Sequence, residues 1–539
     1  MKTELRRTYQ MQKQQVYNPY LPLHEYIPDG EPHVFGDRVY IYGSHDREGG
    51  YTFCMEDYVT YSAPVDDLSD WRYEGVIYKA SQDPYYPNLP YMFAPDVVQG
   101  NDGKYYLYYC MGGDYGQGGY TRPISVAVSD CPVGPFEFLD YVRNADGTLM
   151  MRYICFDPAV INDNGTIRLY YGTQYSYEED TDIATNEEVM QIEMEMFGRT
   201  REEILSYPDS IMGPVTLVLE DDMVTVKEAP HHIIPYRVKG TGFEEHPFFE
   251  GSSMRKVGEK YYFIYSSWLN HELCYATSDY PDRDFVFGGT IVSNGDVGYQ
   301  GRMAADRVNM TGTTHGSIVE LEGQWYVFYH RLTHKSDYSR QSCAEKIAIR
   351  EDGSIPQVEI TSCGLNDGPL RAEGTYPAVI CCNLTNGHMP TGSNSIYTML
   401  FPNVTHHEDE RFLAEIENGT TIGYKYFDFK GVTQVGITIR KETEHNRVVY
   451  EGPVRLDERC DEEAARCQEK TSCGWHIPAA IEVYVEDQSV PVGRLELEDK
   501  LEEGWSQIFV PVAIPDGTHP LYLVYRGSDR IQMKELSFQ

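Results

Sequence analysis

The sequence predicts an all-β protein, with a five-bladed β-propeller over residues 1–375, a linker over 376–394 and a β-sandwich (jelly-roll) domain over 395–539. Its 539 residues are too many for one hydrophobic core, which indicates two domains. Its 45 tyrosines are unusually many, and tyrosine favours strands. Five Tyr-rich segments also recur along the first part of the chain, which is typical of a repeated unit.

Each Tyr-rich segment joins a turn containing Gly, Asp or Asn to one strand that ends in a small residue, Cys or His. The segments are GDRVYIYGS (36–44), DGKYYLYYC (102–110), NGTIRLYYG (164–172), GEKYYFIYS (258–266) and EGQWYVFYH (322–330). Their starting positions are 66, 62, 94 and 64 residues apart. Three near-equal intervals predict four-stranded blades. The long interval predicts an insertion between Gln174 and Glu245 that contains a helical stretch over 185–205.

A short turn-like motif precedes each Tyr-rich segment at a nearly constant offset. Its polar residue is Asp29 in IPDGEP, Asp96 in FAPDVV, Asp157 in FDPAVI, Glu250 in FEGSSM and His315 in THGSIV. The innermost strand of every blade lines the central channel, so residues in phase at its start converge at one end of that channel. One such acid alone is usually a turn former. Four carboxylates around one axis would repel each other, so the set in phase indicates a functional site or a bound cation.

Composition limits the partners and the compartment. The 83 acidic and 45 basic residues give a net charge of −38, which argues against nucleic acid or an anionic membrane as a partner. No apolar run is long enough to span a bilayer, and the first residues do not resemble a signal peptide. The 12 cysteines are scattered, which favours a reduced, cytoplasmic protein, although a local bridge among Cys460, Cys467 and Cys473 stays open. Oligomeric state does not follow from the sequence.

At the motifs above, the chain resembles glycoside hydrolase family 43 over roughly residues 17–375. The resemblance implies that Asp29 is the general base, that Asp157 tunes the pKa of the acid, and that Glu250 is the general acid. Because the first motif reads PDGEP, Asp46 in GSHD is the alternative base, and Asp29 is favoured.

The resemblance also implies three further site residues. Phe93 in MFAPDVV would stack on the sugar, and Arg340 in the SRQ stretch would bind substrate hydroxyls. His315 in GTTHGS would lie beside a Ca²⁺ ion that is held mostly through waters at the channel centre.

Inversion of a glycosidic bond needs a carboxylate base and a protonated acid about 6.5–9.5 Å apart. Apolar neighbours (Phe248 and Phe249) and the charge of Asp157 would raise the pKa of Glu250 so that it stays protonated. The function implied is removal of α-L-arabinofuranosyl or β-D-xylosyl residues from hemicellulose-derived oligosaccharides. The alternatives are a non-catalytic glycan-binding propeller, a β-xylosidase and an endo-acting arabinanase or xylanase.

The last 145 residues carry two phrases, IGYKYFDFKG and GTHPLYLVYRG, that are similar to a family 6 carbohydrate-binding module. That resemblance implies a structural calcium, for which the loose candidates are Glu415, Glu417 and either Asp516 or Asp529. The Asn expected at its sugar site is missing. We therefore expect this domain to pack against the propeller and stabilise it.

Overall fold

The structure is a computed structural model that describes residues 14–113, 119–175, 183–392, 399–449, 477–486, 489–497 and 500–539. The three cysteines of the possible local bridge lie outside the described residues. Within the described ranges, no helix has the length and apolar character needed to cross a membrane.

Five antiparallel sheets form the blades, as the Tyr-rich repeat predicts. Each blade is built from consecutive strands in chain order, and the fifth blade has three strands rather than four. The strands are β1 (Glu31–Phe35), β2 (Arg38–Tyr42), β3 (Tyr58–Pro64) and β4 (Arg72–Tyr78); β5 (Tyr91–Gln99), β6 (Tyr105–Gly112), β7 (Ser125–Ser129) and β8 (Glu137–Tyr141); β9 (Ala159–Asp163), β10 (Thr166–Tyr171), β11 (Val215–Leu219) and β12 (Val226–His232); β13 (Phe248–Val257), β14 (Lys260–Ser267), β15 (Glu272–Ser278) and β16 (Val286–Ser293); and β17 (Ser317–Leu321), β18 (Gln324–Leu332) and β19 (Arg340–Ile347).

The Tyr-rich segments are the second strands of the blades: β2, β6, β10, β14 and β18. Successive side chains of a strand point to opposite faces, and both faces of these strands pack against neighbouring blades. Tyr108 and Tyr109 are therefore both fully buried, although they belong to two different hydrophobic clusters. A tyrosine can fill such a position because its ring packs while its hydroxyl reaches a polar partner. The hydroxyl of Tyr108, for example, donates to the carbonyl of Met223 at 2.7 Å.

The insertion lies inside the third blade, between β10 and β11. It contains α1 (Glu187–Phe197) and α2 (Arg201–Leu205). The side chain of Asn186 caps α1 by accepting from the Val189 N–H at 3.1 Å. The helical stretch is confirmed, but the insertion is shorter than predicted, because β11 and β12 are ordinary strands of the blade.

The start of the described chain closes the ring by running along the outer strand of the fifth blade. The Tyr20 N–H donates to the carbonyl of Ser342 at 3.2 Å. The Asn18 amide donates to the carbonyl of Ala344 at 2.9 Å and accepts from its N–H at 3.0 Å. The first and last blades are thereby joined.

Two further sheets form the sandwich. Its strands are β20 (Leu370–Arg371), β21 (Gly374–Pro377), β22 (Asn383–Thr385), β23 (Asn403–His407), β24 (Glu410–Ile416), β25 (Thr421–Phe429), β26 (Gln434–Lys441), β27 (Ala480–Val485), β28 (Gly493–Glu496), β29 (Ser506–Pro511), β30 (Gly517–Arg526) and β31 (Ile531–Phe538). One sheet has the order β20-β25-β30-β27-β28, with β22 also on β25. The other has the order β23-β24-β31-β26-β29, with β21 on β31.

The predicted linker over 376–394 is wrong for its first part, because β21 and β22 belong to the sandwich sheets. Tyr376 packs its ring against Phe427 and Phe538, and Ile380 is fully buried in the sandwich core. The apolar AVICCNL stretch there supplies core residues, so the sandwich begins near residue 370 rather than at 395.

Buried ion pairs join the sandwich to the propeller. Lys335 of the fifth blade pairs with Glu415 of β24, and both side chains are almost completely buried. Lys425 of β25 lies 3.3 Å from Asp296 of the propeller. Breaking one buried pair costs about 3–5 kcal/mol because the remaining charge is left without a partner. Glu415, a loose calcium candidate, is thus already paired with Lys335 and Arg447.

Candidate active site

Four of the five motifs place their polar residue at or near the start of an innermost strand, whereas Asp96 of the second motif lies inside β5 and pairs with His33 at 2.6 Å. Asp29, Asp157 and His315 each lie two residues before a strand, namely β1, β9 and β17, and Glu250 is the third residue of β13. The N–H of Gly251 donates to the Asp157 carboxylate at 3.2 Å, and Nδ1 of His315 lies 3.7 Å from Oδ1 of Asp29. The structure therefore brings all four residues together at one end of the channel.

The backbone turns sharply at the three predicted catalytic carboxylates. Asp29 and Asp157 have φ values of 58° and 44°, a left-handed conformation that non-glycine residues rarely adopt. Glu250 lies at an irregularity in the pairing of β13 with β14, next to Gly251 at φ 73°. Such local strain is typical of functional positions, since the surrounding fold has to maintain it.

Asp29 is surrounded by donors. Nη1 of Arg340 donates to both of its carboxylate oxygens, at 3.0 and 3.1 Å, and the Ser44 hydroxyl donates at 2.6 Å. Burial alone would raise the pKa of Asp29, but Arg340, His330, His315 and the Ser44 hydrogen bond together lower it to about 2. Asp29 is thus ionised at any physiological pH, as a general base must be.

Arg340 orients this base, and its remaining N–H groups bind other protein atoms. Its Nε and Nη2 donate to the two oxygens of Asp46 at 2.8 and 3.0 Å, and Nη2 also reaches Sγ of Cys54 at 3.6 Å. Its charge lies 4.9 Å from the centre of the Phe53 ring. All five N–H groups are therefore committed to protein atoms, and the predicted contact of Arg340 with substrate has no uncommitted donor in this arrangement.

The side chain of Asp46, the alternative base, is completely buried. Its Oδ1 accepts from the Cys54 N–H at 2.9 Å in addition to Arg340, and Oδ2 accepts from Arg340. A carboxylate that is enclosed in this way cannot reach a water at the reaction centre. The geometry therefore favours Asp29 over Asp46 as the base.

The acid side of the site has the opposite environment. Burial and the negative charge of Asp29 raise the pKa of Glu250 to about 8, against a smaller lowering by Arg340. Burial, followed by the charges of Glu250 and Asp29, raises the pKa of Asp157 well above its usual range. Both acids hence favour the protonated form near neutral pH. The sequence predicted Asp157 as a negative charge that tunes Glu250. Because the pKa of Asp157 is itself raised, that tuning role stays a prediction.

An aromatic wall flanks the acid. Phe93 is only 8% exposed, because its ring packs against Phe156 at 5.7 Å, and Phe156 packs against Tyr120 at 4.6 Å. Tyr175 donates its hydroxyl proton to the Tyr120 oxygen at 2.6 Å, and its ring lies 5.8 Å from Phe249. Stacking on a sugar needs an open ring face, and Phe93 is largely covered by its neighbours. The predicted stacking therefore stays a prediction.

His315 lies between the base and a second buried acid. Its Nε2 lies 3.9 Å from Oε1 of Glu31, and neither atom has a hydrogen-bond partner among the described residues. Buried polar atoms rarely stay unsatisfied, so this gap fits a water or a hydrated cation. Because it offers one imidazole nitrogen and one carboxylate oxygen, a calcium ion there would need waters for most of its ligands.

The sequence also held a signal for two residues that it did not assign. Ser44 and His330 are the last residues of the first and fifth Tyr-rich segments, and both contact Asp29. Their shared phase at the strand ends could have identified them. Glu31 was missed because its only sequence signal is its place two residues after Asp29.

An ionised carboxylate and a protonated carboxyl group at one mouth of a propeller channel are the two groups that acid–base cleavage of a glycosidic bond requires. The fold and the site thus define a glycoside hydrolase. The model of the glycosyl hydrolases family 43 matches residues 27–240. A xylosidase/arabinosidase of Thermoclostridium stercorarium is 42% identical over 97% of this chain and 99% of its own length. The chain belongs to glycosyl hydrolase family 43.

Two other similarities cover about three fifths of the chain. A xylosidase/arabinosidase of Bacteroides ovatus is 32% identical over 58% of this chain and 87% of its own length. A solved family 43 β-xylosidase/α-arabinofuranosidase from a compost microbial metagenome is 26% identical, covers 62% of this chain and 96% of its own, and has a TM-score of 0.46. That structure is described as a complex with xylotriose in a calcium-free form.

Proposed function

We propose that this glycoside hydrolase removes single pentose residues, α-L-arabinofuranosyl or β-D-xylosyl, from hemicellulose-derived oligosaccharides. The observation that carries the proposal is that the environments of Asp29 and Glu250 shift their pKa values in opposite directions within one site. The full-length similarity to a xylosidase/arabinosidase supports the substrate class. The two sugars present their hydroxyls in similar positions, so one site can accept both.

In the proposed reaction, Asp29 removes a proton from water while Glu250 donates a proton to the leaving oxygen. Arg340 and Ser44 hold the base in its ionised form. Asp157 lies on the acid side, where its pKa is raised together with that of Glu250. Because water attacks directly and no glycosyl-enzyme forms, the product should have inverted anomeric configuration.

Proton NMR of fresh product tests this mechanism. With p-nitrophenyl α-L-arabinofuranoside, the first anomer to appear should be β, and it should mutarotate afterwards. Retention of configuration would exclude direct attack by water. A panel of p-nitrophenyl glycosides then ranks the sugars: the arabinofuranoside and xyloside should be cleaved, and the glucoside and galactoside should serve as negative controls.

We also propose a hydrated Ca²⁺ ion beside His315 and Glu31. The two unsatisfied buried atoms at 3.9 Å support it, since a cation there would lower the repulsion among the acids of the channel. Ca²⁺ added after chelation should raise the melting temperature, and Glu31→Gln should abolish that rise. An unchanged melting temperature in the wild-type protein would exclude the ion.

For the sandwich we propose a stabilising role rather than polymer binding. The buried pairs Lys335–Glu415 and Lys425–Asp296 support it. Truncation before residue 370 should give insoluble or inactive protein, and the free sandwich should not be retarded in xylan affinity gels. A soluble, fully active truncation together with retardation of the free sandwich would restore the binding-module interpretation.

We place the enzyme in the cytoplasm, acting on short imported oligosaccharides. The nine cysteines among the described residues are all free thiols, which suits a reducing compartment. Fractionation of cells of the source organism, with activity measured in each fraction, tests this placement.

A further inference from the structure

Two histidines and a glutamate meet in the seam between propeller and sandwich, outside the active site. Glu48 lies in the loop after β2, His334 in the loop after β18, and His406 in β23 of the sandwich. Nε2 of His334 lies 3.0 Å from Nδ1 of His406, and Oε1 of Glu48 lies 3.7 Å from the same Nδ1. The three ligand atoms all lie within 4.8 Å of one another.

This spacing is close to that of ligands around one small metal ion, and in this structure the two imidazoles share a hydrogen bond at 3.0 Å. Ligand atoms bound to a tetrahedral zinc ion at about 2.0–2.1 Å lie roughly 3.4 Å from each other. The observed separations of 3.0 and 3.7 Å lie on either side of that value. Two imidazoles and one carboxylate also form a donor set that zinc and its neighbouring transition metals prefer, whereas calcium prefers oxygen.

Neighbouring hydrogen bonds favour the tautomer of His334 that a metal needs. The Thr333 hydroxyl donates its proton to the carbonyl of Ser339 at 3.1 Å, so at 3.2 Å its oxygen can only accept from Nδ1 of His334. The proton of His334 therefore resides on Nδ1, and Nε2 accepts a hydrogen bond from Nδ1 of His406. A metal-bound histidine needs a partner such as Thr333 on its other nitrogen. When a metal binds, the proton on Nδ1 of His406 has to move to Nε2 of the same ring or to solvent, which frees Nδ1 as a ligand.

Two groups compete with a metal for Glu48. Arg411 donates from Nε to Oε1 at 2.9 Å and from Nη2 to Oε2 at 2.5 Å, and the Tyr26 hydroxyl donates to Oε1 at 3.0 Å. An ion must displace one bond at Oε1, and the guanidinium charge opposes it. We therefore expect an affinity below that of closed structural zinc sites.

We propose that a divalent transition metal of the zinc class binds Nε2 of His334, Nδ1 of His406 and the Glu48 carboxylate, with water as the fourth ligand. The ion would tie the sandwich to two propeller loops at once. One loop carries Asp46 and the other leads into Arg340, so the same ion would fix both partners in the ion pair beside the base. This inference does not depend on the identity of the sugar substrate.

Zinc titration of the full-length protein, by calorimetry and by thermal melting after removal of metals by a chelator, tests the site. His406→Gln should bind one equivalent fewer than the wild type and should lose the zinc-induced rise in melting temperature. The matched control is His407→Gln, the exposed neighbour on the same strand, which should bind and melt like the wild type. With Co²⁺, the wild type and the control should show the visible absorption of a tetrahedral complex, and His406→Gln should lack it.

Equal stoichiometry in the wild type and His406→Gln, or no binding by the wild type, would overturn the proposal. If circular dichroism shows that His406→Gln is unfolded, Glu48→Gln serves instead, because it keeps the side-chain shape and removes the anionic ligand. The expected loss of one equivalent is the same for that variant, and its absence overturns the proposal equally.

Discussion

The two sides of the active site hold the same kind of group, a buried carboxyl, with pKa values that are shifted in opposite directions. Asp29 accepts from Arg340 and Ser44 and lies beside two histidines, so its pKa falls to about 2. Glu250 has no comparable cation and faces the charge of Asp29, so its pKa rises to about 8. The difference teaches that the environment, not the residue type, assigns the roles of base and acid.

The largest expected effect comes from neutralising the acids one at a time. Asp29→Asn, Asp157→Asn and Glu250→Gln should each lower kcat by at least about 10²-fold, because acid–base catalysis is lost. Substrates with different leaving groups should then distinguish the variant of the acid from the variant of the base. Glu250→Gln should recover much of its activity on a dinitrophenyl glycoside, whose leaving oxygen needs no proton, while Asp29→Asn should not. Equal recovery by both variants would contradict the assignment of roles.

Arg340→Lys tests whether the guanidinium group is what lowers the pKa of Asp29 relative to that of Glu250. Lysine cannot keep the paired hydrogen bonds to Asp46 and the contacts to Asp29 together. Loss of a charged hydrogen bond of about 1.5–3 kcal/mol predicts a kcat roughly 10- to 100-fold lower. The acidic limb of the pH profile should also move to higher pH. Arg72→Lys, at an exposed position, is the control and should change neither quantity.

The pH profile of kcat/KM reports the pKa values of both the base and the acid in the unmodified enzyme. Asp29 must be ionised, so its titration should lower the activity only as the pH approaches about 2, and circular dichroism at each pH separates this loss from acid unfolding. Glu250 must be protonated, so activity should fall as the pH rises above about 8, tenfold per unit. A basic limb that begins near pH 5 would show that Glu250 has the pKa of an ordinary exposed glutamate.

The smallest expected effect concerns the aromatic wall on the acid side. Tyr120→Phe removes a hydroxyl whose pKa is raised by burial and by nearby charges, including that of Glu250. We expect a loss of only a few-fold in kcat and a shift of the basic limb by a fraction of a unit, because a neutral hydrogen bond contributes about 0.5–1.5 kcal/mol. Tyr175→Phe, one hydroxyl farther away, should do less. A reversed order would place the important hydroxyl on Tyr175.

The sequence by itself determined the blades and the residues that meet at the channel. Each blade carries its polar motif residue at a similar distance before its Tyr-rich strand. Because the innermost strands of a propeller surround one channel, these residues meet at one end of it: Asp29, Asp157, Glu250 and His315. The predicted linker failed because GHMPTGSNS has a linker's composition, whereas the AVICCNL stretch before it is core sequence. Local pattern could have corrected that error.

Only the tertiary structure decided what each convergent residue contacts. Arg340 is 311 positions from Asp29 and 294 from Asp46, yet ring closure places it between them. His334 and His406 meet across 72 positions because the sandwich docks on the propeller. A periodic pattern fixes the position of a strand within its own blade, but ion pairs, burial and pKa shifts depend on neighbours from other blades and from the second domain.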